Sequence, residues 1–148
     1  MFAGEFQSHA EAGGLFRLPP MFLAAFPPPE EGIGRQVVLL KSLDRNLWLY
    51  QAQGWEAKLD VTREQLTAEQ SRLLMHYVVA ESVLAELDPQ GRLAIPKALR
   101  TYAEITTDVV LIGLYDRIEV WSPVCWLAYL AGLEERHEMD LGKILDLL

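Results

Sequence analysis

The sequence predicts an α+β protein made of two β-rich repeats joined by a helix and related by a pseudo-twofold axis. Three observations lead there. The stretch ELDPQGRLAIPKALR, Glu86 to Arg100, reads as a strand end, a tight turn, a second strand and the first turn of a helix. Val38-Leu39-Leu40 recurs as Val109-Val110-Leu111, and Leu47, Leu49 and Tyr50 recur as Ile118, Val120 and Trp121, all at an offset of 71. Between the copies lies an amphipathic stretch. The expected organisation is a first repeat over residues 1–60, a connecting helix over 61–80, a second repeat over 81–133 and an acidic tail over 134–148. Each repeat, with open strand edges and about 70 residues, makes a marginal core alone, so the two are expected to pack together.

From the N-terminus, Gly4 to Phe22 can be laid on the Glu86–Arg100 stretch at an offset of 77. Glu11 then meets Asp88, Gly14 meets Gly91, Leu15 meets Arg92, Leu18 meets Ile95 and Pro19 meets Pro96. The frame is kept while the polar chemistry changes. Arg17, two residues past Leu15, has the same strand parity and so can project on the same face. Phe26-Pro27-Pro28-Pro29-Glu30-Glu31-Gly32 is a loop by composition and forms a surface insertion in the first repeat.

The duplicated segments read as β-hairpins, turning at Ser42–Asn46 and at Gly113–Arg117. Each leads into a short helix, marked by Trp55 and Leu59 in one copy and by Trp126 and Leu130 in the other. In the connecting segment, Thr67-Ala68-Glu69-Gln70 fits a capping box. Leu73, Leu74, Tyr77 and Val78 follow as a stripe at helical spacing, read as core, with a subunit contact as the alternative. The chain becomes extended again from Ser82 to Leu87. Beyond Leu130, acidic residues dominate until Ile144-Leu145 and Leu147-Leu148, which suit either a docking segment or a frayed end.

The turn in the second repeat follows from residue chemistry. Asp88 can accept from backbone N–H groups two residues on, Pro89 presets the first corner, and Gly91 tolerates a positive φ. Leu93 and Ile95 then alternate with Arg92 and Ala94 as in a half-buried strand. Pro96 lacks an N–H, so it closes the strand and opens a helix whose apolar face is Ala98, Leu99 and Tyr102.

Composition bounds the function. A chain of 148 residues with 51% hydrophobic residues has enough apolar material for a core. No apolar run reaches the length of a membrane span, and an opening with Glu5, His9 and no basic segment does not read as a secretion signal, so a cytoplasmic location is expected. One cysteine, Cys125, excludes an intramolecular disulfide and is expected to be buried. No nucleotide-binding loop, nucleophile elbow or metal-ligand spacing is present, and His9, His76 and His137 lie far apart. No catalysis, cofactor or metal is expected. Thirteen Lys and Arg stand against 21 Asp and Glu, a net charge of -8, which opposes nucleic-acid binding unless the basic residues gather locally.

The pattern D-x-x-G-R-L-x-I-P-x-x-L-R from Asp88 to Arg100 resembles the repeat of the swapped-hairpin AbrB-like proteins. The opening Met1-Phe2-Ala3-Gly4-Glu5 resembles the start of the MraZ family of bacterial regulators, which carry two such repeats. The resemblance implies a ring-like homo-oligomer, associated with the nucleoid, that binds double-stranded DNA at direct repeats near the promoter of the cell-division and cell-wall gene cluster. It implies DNA contacts from Arg92, Gln90, Lys97, Arg100 and Arg17. Asp88, Gly91, Pro96, Glu11, Gly14 and Pro19 form the structural frame of the two motifs. Asp88 and Arg92 carry two readings, a turn-capping ion pair and a share of the DNA surface, and both can hold. Where the family's first repeat carries an acid, a lysine and an arginine, this chain has Glu11, Gly13 and Leu15, and Gln90 stands where a lysine is usual. A protein-interaction or scaffold role with weakened DNA binding is the alternative. An antitoxin-like partner protein is a third class.

Overall fold

The continuous apolar runs Val37–Leu40 and Val109–Ile112 become strands covered on both faces, which is why they do not alternate with polar residues. The computed structural model describes residues 1–29 and 34–148. In chain order the elements are β1 (Phe2–Glu11), β2 (Leu15–Arg17), α1 (Pro20–Ala25), β3 (Gln36–Lys41), β4 (Leu47–Gln51), α2 (Trp55–Glu64) and α3 (Ala68–Leu73). Helix α3 continues as π-helical turns over Leu74–Val79. Then come β5 (Val83–Glu86), β6 (Arg92–Ala94), α4 (Lys97–Tyr102), β7 (Asp108–Tyr115), β8 (Arg117–Trp121) and α5 (Pro123–Leu145).

The eight strands form one sheet in the order β5-β3-β4-β8-β7-β1-β2-β6. Its antiparallel pairings cross the chain's midpoint. The first strand, β1, pairs with β7 from Phe2↔Tyr115 to His9↔Asp108, and β5 pairs with β3 from Gln36↔Glu86 to Leu39↔Val83. The end strands β5 and β6 are consecutive, and the Asp88 N–H donates to the Arg92 carbonyl at 3.0 Å across their turn. The sheet therefore nearly closes on itself like a barrel, which leaves little free strand edge.

Inside lies the main core, with Phe16, Leu18, Leu39, Leu49, Leu93, Leu99, Val109, Leu111 and Ile118 among its fully buried members. Helix α1 is fixed to β1 by edge-to-face contacts of Phe22 with Phe2 at 5.8 Å and with Phe6 at 5.0 Å. Outside, Val110, Ile112 and Trp121 form a second apolar cluster roofed by Trp126 and Tyr129 of α5. Ser122 caps that helix by accepting from the Cys125 N–H at 3.1 Å.

The hairpins β3–β4 and β7–β8, the two short strand–turn–strand motifs and the capping box all stand where the sequence puts them. At the box, Thr67 Oγ1 accepts from the Gln70 N–H at 3.1 Å while Gln70 Oε1 accepts from the Thr67 N–H at 3.0 Å. Of the proline-rich loop, Glu30, Glu31 and Gly32 lie outside the described residues.

Several expectations are corrected. The stripe Leu73, Leu74, Tyr77 and Val78 is not core: none of these residues is buried, and Tyr77 is 72% exposed. The sheet's interior is already filled by strand residues and by α1 and α4, so this helical segment has no core face left to occupy. The second hairpin leads into a 23-residue helix rather than a short helix and a tail, with a break in helical geometry at His137. Cys125 is only half-buried, its Sγ–H donating to Glu104 Oε2 at 3.2 Å.

Candidate nucleic-acid interface

Both motifs close their turn with the same hydrogen bond, although Gly13 takes a left-handed φ of 83° that its counterpart Gln90 does not. The Gly14 N–H donates to the Glu11 carbonyl at 2.9 Å, and the Gly91 N–H donates to the Asp88 carbonyl at 2.9 Å. Gly14 has φ 75° and Gly91 φ 76°, the left-handed region that glycine enters without steric cost. Pro19 and Pro96 then occupy the helix N-cap positions of α1 and α4 with extended backbone. The two turns meet because β2 pairs with β6, Leu15 opposite Ala94, Phe16 opposite Leu93 and Arg17 opposite Arg92.

Side chains then converge on one cluster of four charges. Asp88 Oδ1 accepts the N–H groups of Gln90 at 3.0 Å and of Arg92 at 2.8 Å, and Oδ2 takes Arg92 Nε at 2.5 Å. Glu11 reaches across from the other motif. Its Oε2 lies 3.4 Å from Arg92 Nη1, and its two oxygens receive Arg17 Nε at 3.0 Å and Nη2 at 3.2 Å. Arg17 Nη1 also donates to the Gln90 carbonyl at 3.2 Å.

The electrostatics follow the contacts. Hydrogen bonding from Arg17 holds the Glu11 carboxyl below its ordinary value, with Arg92 adding to the effect. For Asp88, partial desolvation pushes upward, but the backbone and side-chain hydrogen bonds of Arg92 prevail and the carboxyl also lies low. The Arg92 guanidinium is held correspondingly more firmly protonated by its hydrogen bond to Asp88. Two carboxylates and two guanidinium groups leave the cluster close to neutral.

Of the five expected DNA-contact residues, three are gathered here: Arg17, Gln90 and Arg92. The other two are not. Arg100 folds back so that Nε donates to the Ile95 carbonyl at 2.9 Å. Lys97 stands exposed in the first turn of α4, and among the described residues its side chain makes no hydrogen bond or ion pair. Sequence reasoning missed the bridge from Glu11 to Arg92, which spans 81 positions. Only the β2–β6 register brings them together, and a three-residue strand carries too little pattern to announce its partner. Among the described residues there is no cluster of His, Cys, Asp or Glu able to hold a metal ion, and no helix is long and apolar enough to cross a membrane.

Fold and site together define a class: a β-rich, nearly closed sheet with flanking helices in which two turn–strand–helix motifs are zipped edge to edge through their short strands. Residues 79–143 match the family model described as "MraZ protein, putative antitoxin-like". The chain is 33% identical to the transcriptional regulator MraZ of Halothermothrix orenii, over 99% of both chains. It is 36% identical to the protein of the same name from Acetivibrio thermocellus, covering 87% of this chain and 86% of that one. The Thermoanaerobacter sp. protein, also named transcriptional regulator MraZ, is 35% identical over 87% of this chain and 86% of its own. The chain belongs to the MraZ family.

Proposed function

We propose that this chain is a DNA-binding transcriptional regulator of the MraZ type, acting as a ring-like homo-oligomer on direct repeats near the cell-division and cell-wall promoter. The observation that carries this reading is the pairing of β2 with β6, which sets Arg17 directly opposite Arg92 and joins both motifs into one candidate surface. The relatives' shared name, transcriptional regulator, supports the class, and a cytoplasmic, nucleoid-associated location follows from this reading. Strand order supports the two-repeat, swapped-hairpin reading. Exchanging each strand of the first half for its counterpart in the second turns the run β5-β3-β4-β8-β7-β1 into itself read backwards, as a pseudo-twofold requires.

Assembly has its own support. Helices α2 and α5 and the segment Ala68–Val79 contain no buried residue, yet they carry Val61, Leu73, Tyr77, Val124 and Leu127, all more than half exposed. Apolar helical faces of this extent suit contacts between copies. A ring also resolves the charge problem. With few free cations per subunit, second and later contacts to repeated sites become intramolecular, so weak single contacts add up.

The test is binding of the wild type to a fragment from its own upstream region, titrated with salt while oligomer mass is followed in the same samples. A steep fall of affinity with salt at constant mass is expected. A second reading, a scaffold relative with little DNA binding, is favoured by the net charge of -8 and by the near-neutral cluster. An intact assembly that fails to bind at low salt establishes that reading instead.

A further inference from the structure

We propose that Glu11 is an internal competitor for DNA phosphate, holding Arg17 and Arg92 in a closed ion-pair cluster that must open before either arginine contacts DNA. This rests on the DNA-binding reading above.

The two carboxylates of the cluster are not equivalent. Asp88 is built into its turn, accepting two backbone N–H groups as well as Arg92. The Glu11 side chain, among the described residues, accepts from guanidinium groups only. The alignment that matches Glu11 with Asp88 also matches Leu15 with Arg92, so Glu11 has no arginine at the corresponding place in its own motif. It takes Arg17 and, from the other motif, Arg92.

The geometry is that of anion recognition. Arg17 offers Nε and Nη2 to the two oxygens of Glu11 at 3.0 and 3.2 Å, the fork-to-fork arrangement with which arginine also grips a phosphate. A guanidinium so occupied cannot make the same contact elsewhere. The Arg17 side chain is 47% exposed and that of Glu11 35%, so an incoming phosphate reaches the pair from solvent. Exposed pairs of this kind add little to stability, so the cluster opens at small cost and the fold does not depend on it. Asp88 keeps its turn when Glu11 lets go.

Direct-repeat DNA is titrated with wild type, Glu11→Gln, Glu11→Asp and Glu11→Gln/Arg17→Gln at several salt concentrations. Glu138→Gln on α5 serves as a control with the same charge change as Glu11→Gln, and oligomer mass and thermal melting are recorded for every variant. Glu11→Gln is expected to bind several-fold more tightly at low salt, with a log–log salt slope steeper by about one for each arginine freed. Glu11→Asp, which withdraws the carboxylate by one methylene and keeps its charge, is expected to gain less, and adding Arg17→Gln is expected to remove part of the gain. If wild type binds and Glu11→Gln, folded and assembled, binds no better, the competitor role is overturned while the regulator reading stands. Equal gain from Glu138→Gln also overturns it, since net charge then explains the effect. Failure of wild type and Glu11→Gln alike to bind at low salt, with mass intact, overturns both readings.

Discussion

The turn from Glu11 to Leu15 and the turn from Asp88 to Arg92 close with the same hydrogen bond and a left-handed glycine, and differ in the corner before it, Gly13 at φ 83° against Gln90, and in what holds them. In the second, one aspartate caps two N–H groups and an arginine within five residues. In the first, the corresponding acid caps none among the described residues and turns outward to arginines, one of them from the other motif. Glycine and proline preserve the path of the chain in both, because they act through φ and a missing donor rather than through partners. The polar groups differ between the two while the closing hydrogen bond, the glycine and the proline are kept. In this chain the frame of glycine and proline is shared by the two motifs where the charges are not, with Leu15 standing where the second motif has Arg92.

Several substitutions break this comparison, the largest effect first. Gly91→Ala places a Cβ 2.4 Å from Leu23 Cδ1 in a buried site and also forces a left-handed φ, whereas at Gly14 the same change meets nothing within 4 Å. Loss of roughly 2–3 kcal/mol is expected at Gly91 against about 1 kcal/mol at Gly14, read from urea unfolding midpoints. Equal losses would mean that the two turns are equally packed.

Next, Arg92→Ala is expected to weaken direct-repeat binding by about tenfold or more in a correctly assembled protein, and Arg17→Ala by less, as titration of the two variants side by side will read. Arg92 is also tied to the Asp88 turn, whereas Arg17 is bonded to Glu11 and to the Gln90 carbonyl outside that turn's cap.

Acid sharpens the contrast further. Both carboxyls titrate below their ordinary values of 4.5 for Glu11 and 3.8 for Asp88, so each adds stability that is fully present above those values. That contribution is lost as pH falls through the lowered, folded-state values. Melting temperature followed from pH 6 downward is expected to drop below about pH 4.5, with Asp88→Asn flattening the drop more than Glu11→Gln because Asp88 also holds the turn. The smallest effect is expected from Leu15→Arg. Returning a cation to the first motif should raise DNA affinity only a few-fold, since one added contact changes the salt slope by about one.

Much of this was legible in the sequence. The spacing of Gly14 and Gly91 before Pro19 and Pro96 located both turns, and the duplicated apolar runs located the hairpins β3–β4 and β7–β8. Pairing of β1 with β7 and of β3 with β5 was not legible, because a strand's own pattern says which face is apolar and not which distant strand lies beside it. The same limit explains Leu73 and Tyr77. Helical spacing reveals an apolar stripe, and whether the chain's own core covers it depends on how much interior the strands have already filled. In the candidate site, Arg92 and Asp88 were legible as a local pair. Glu11 was legible only as a turn residue, since its role as a bridge exists only once β2 and β6 are in register.

The pairing of Phe2–Glu11 with Asp108–Tyr115 has a consequence for how the protein is made. The strand Phe2–Glu11 meets its main partner only after about 100 further residues are made, roughly 5–20 seconds later at ordinary synthesis rates. Until then Phe2, Phe6 and the apolar face of α1 have no finished sheet to rest against. Long-range pairings also fold slowly, because chain closure is opposed by entropy before any contact forms. The sheet from β4 to β1 can accordingly close only after Arg117–Trp121 is synthesised, since β8 pairs with both β4 and β7.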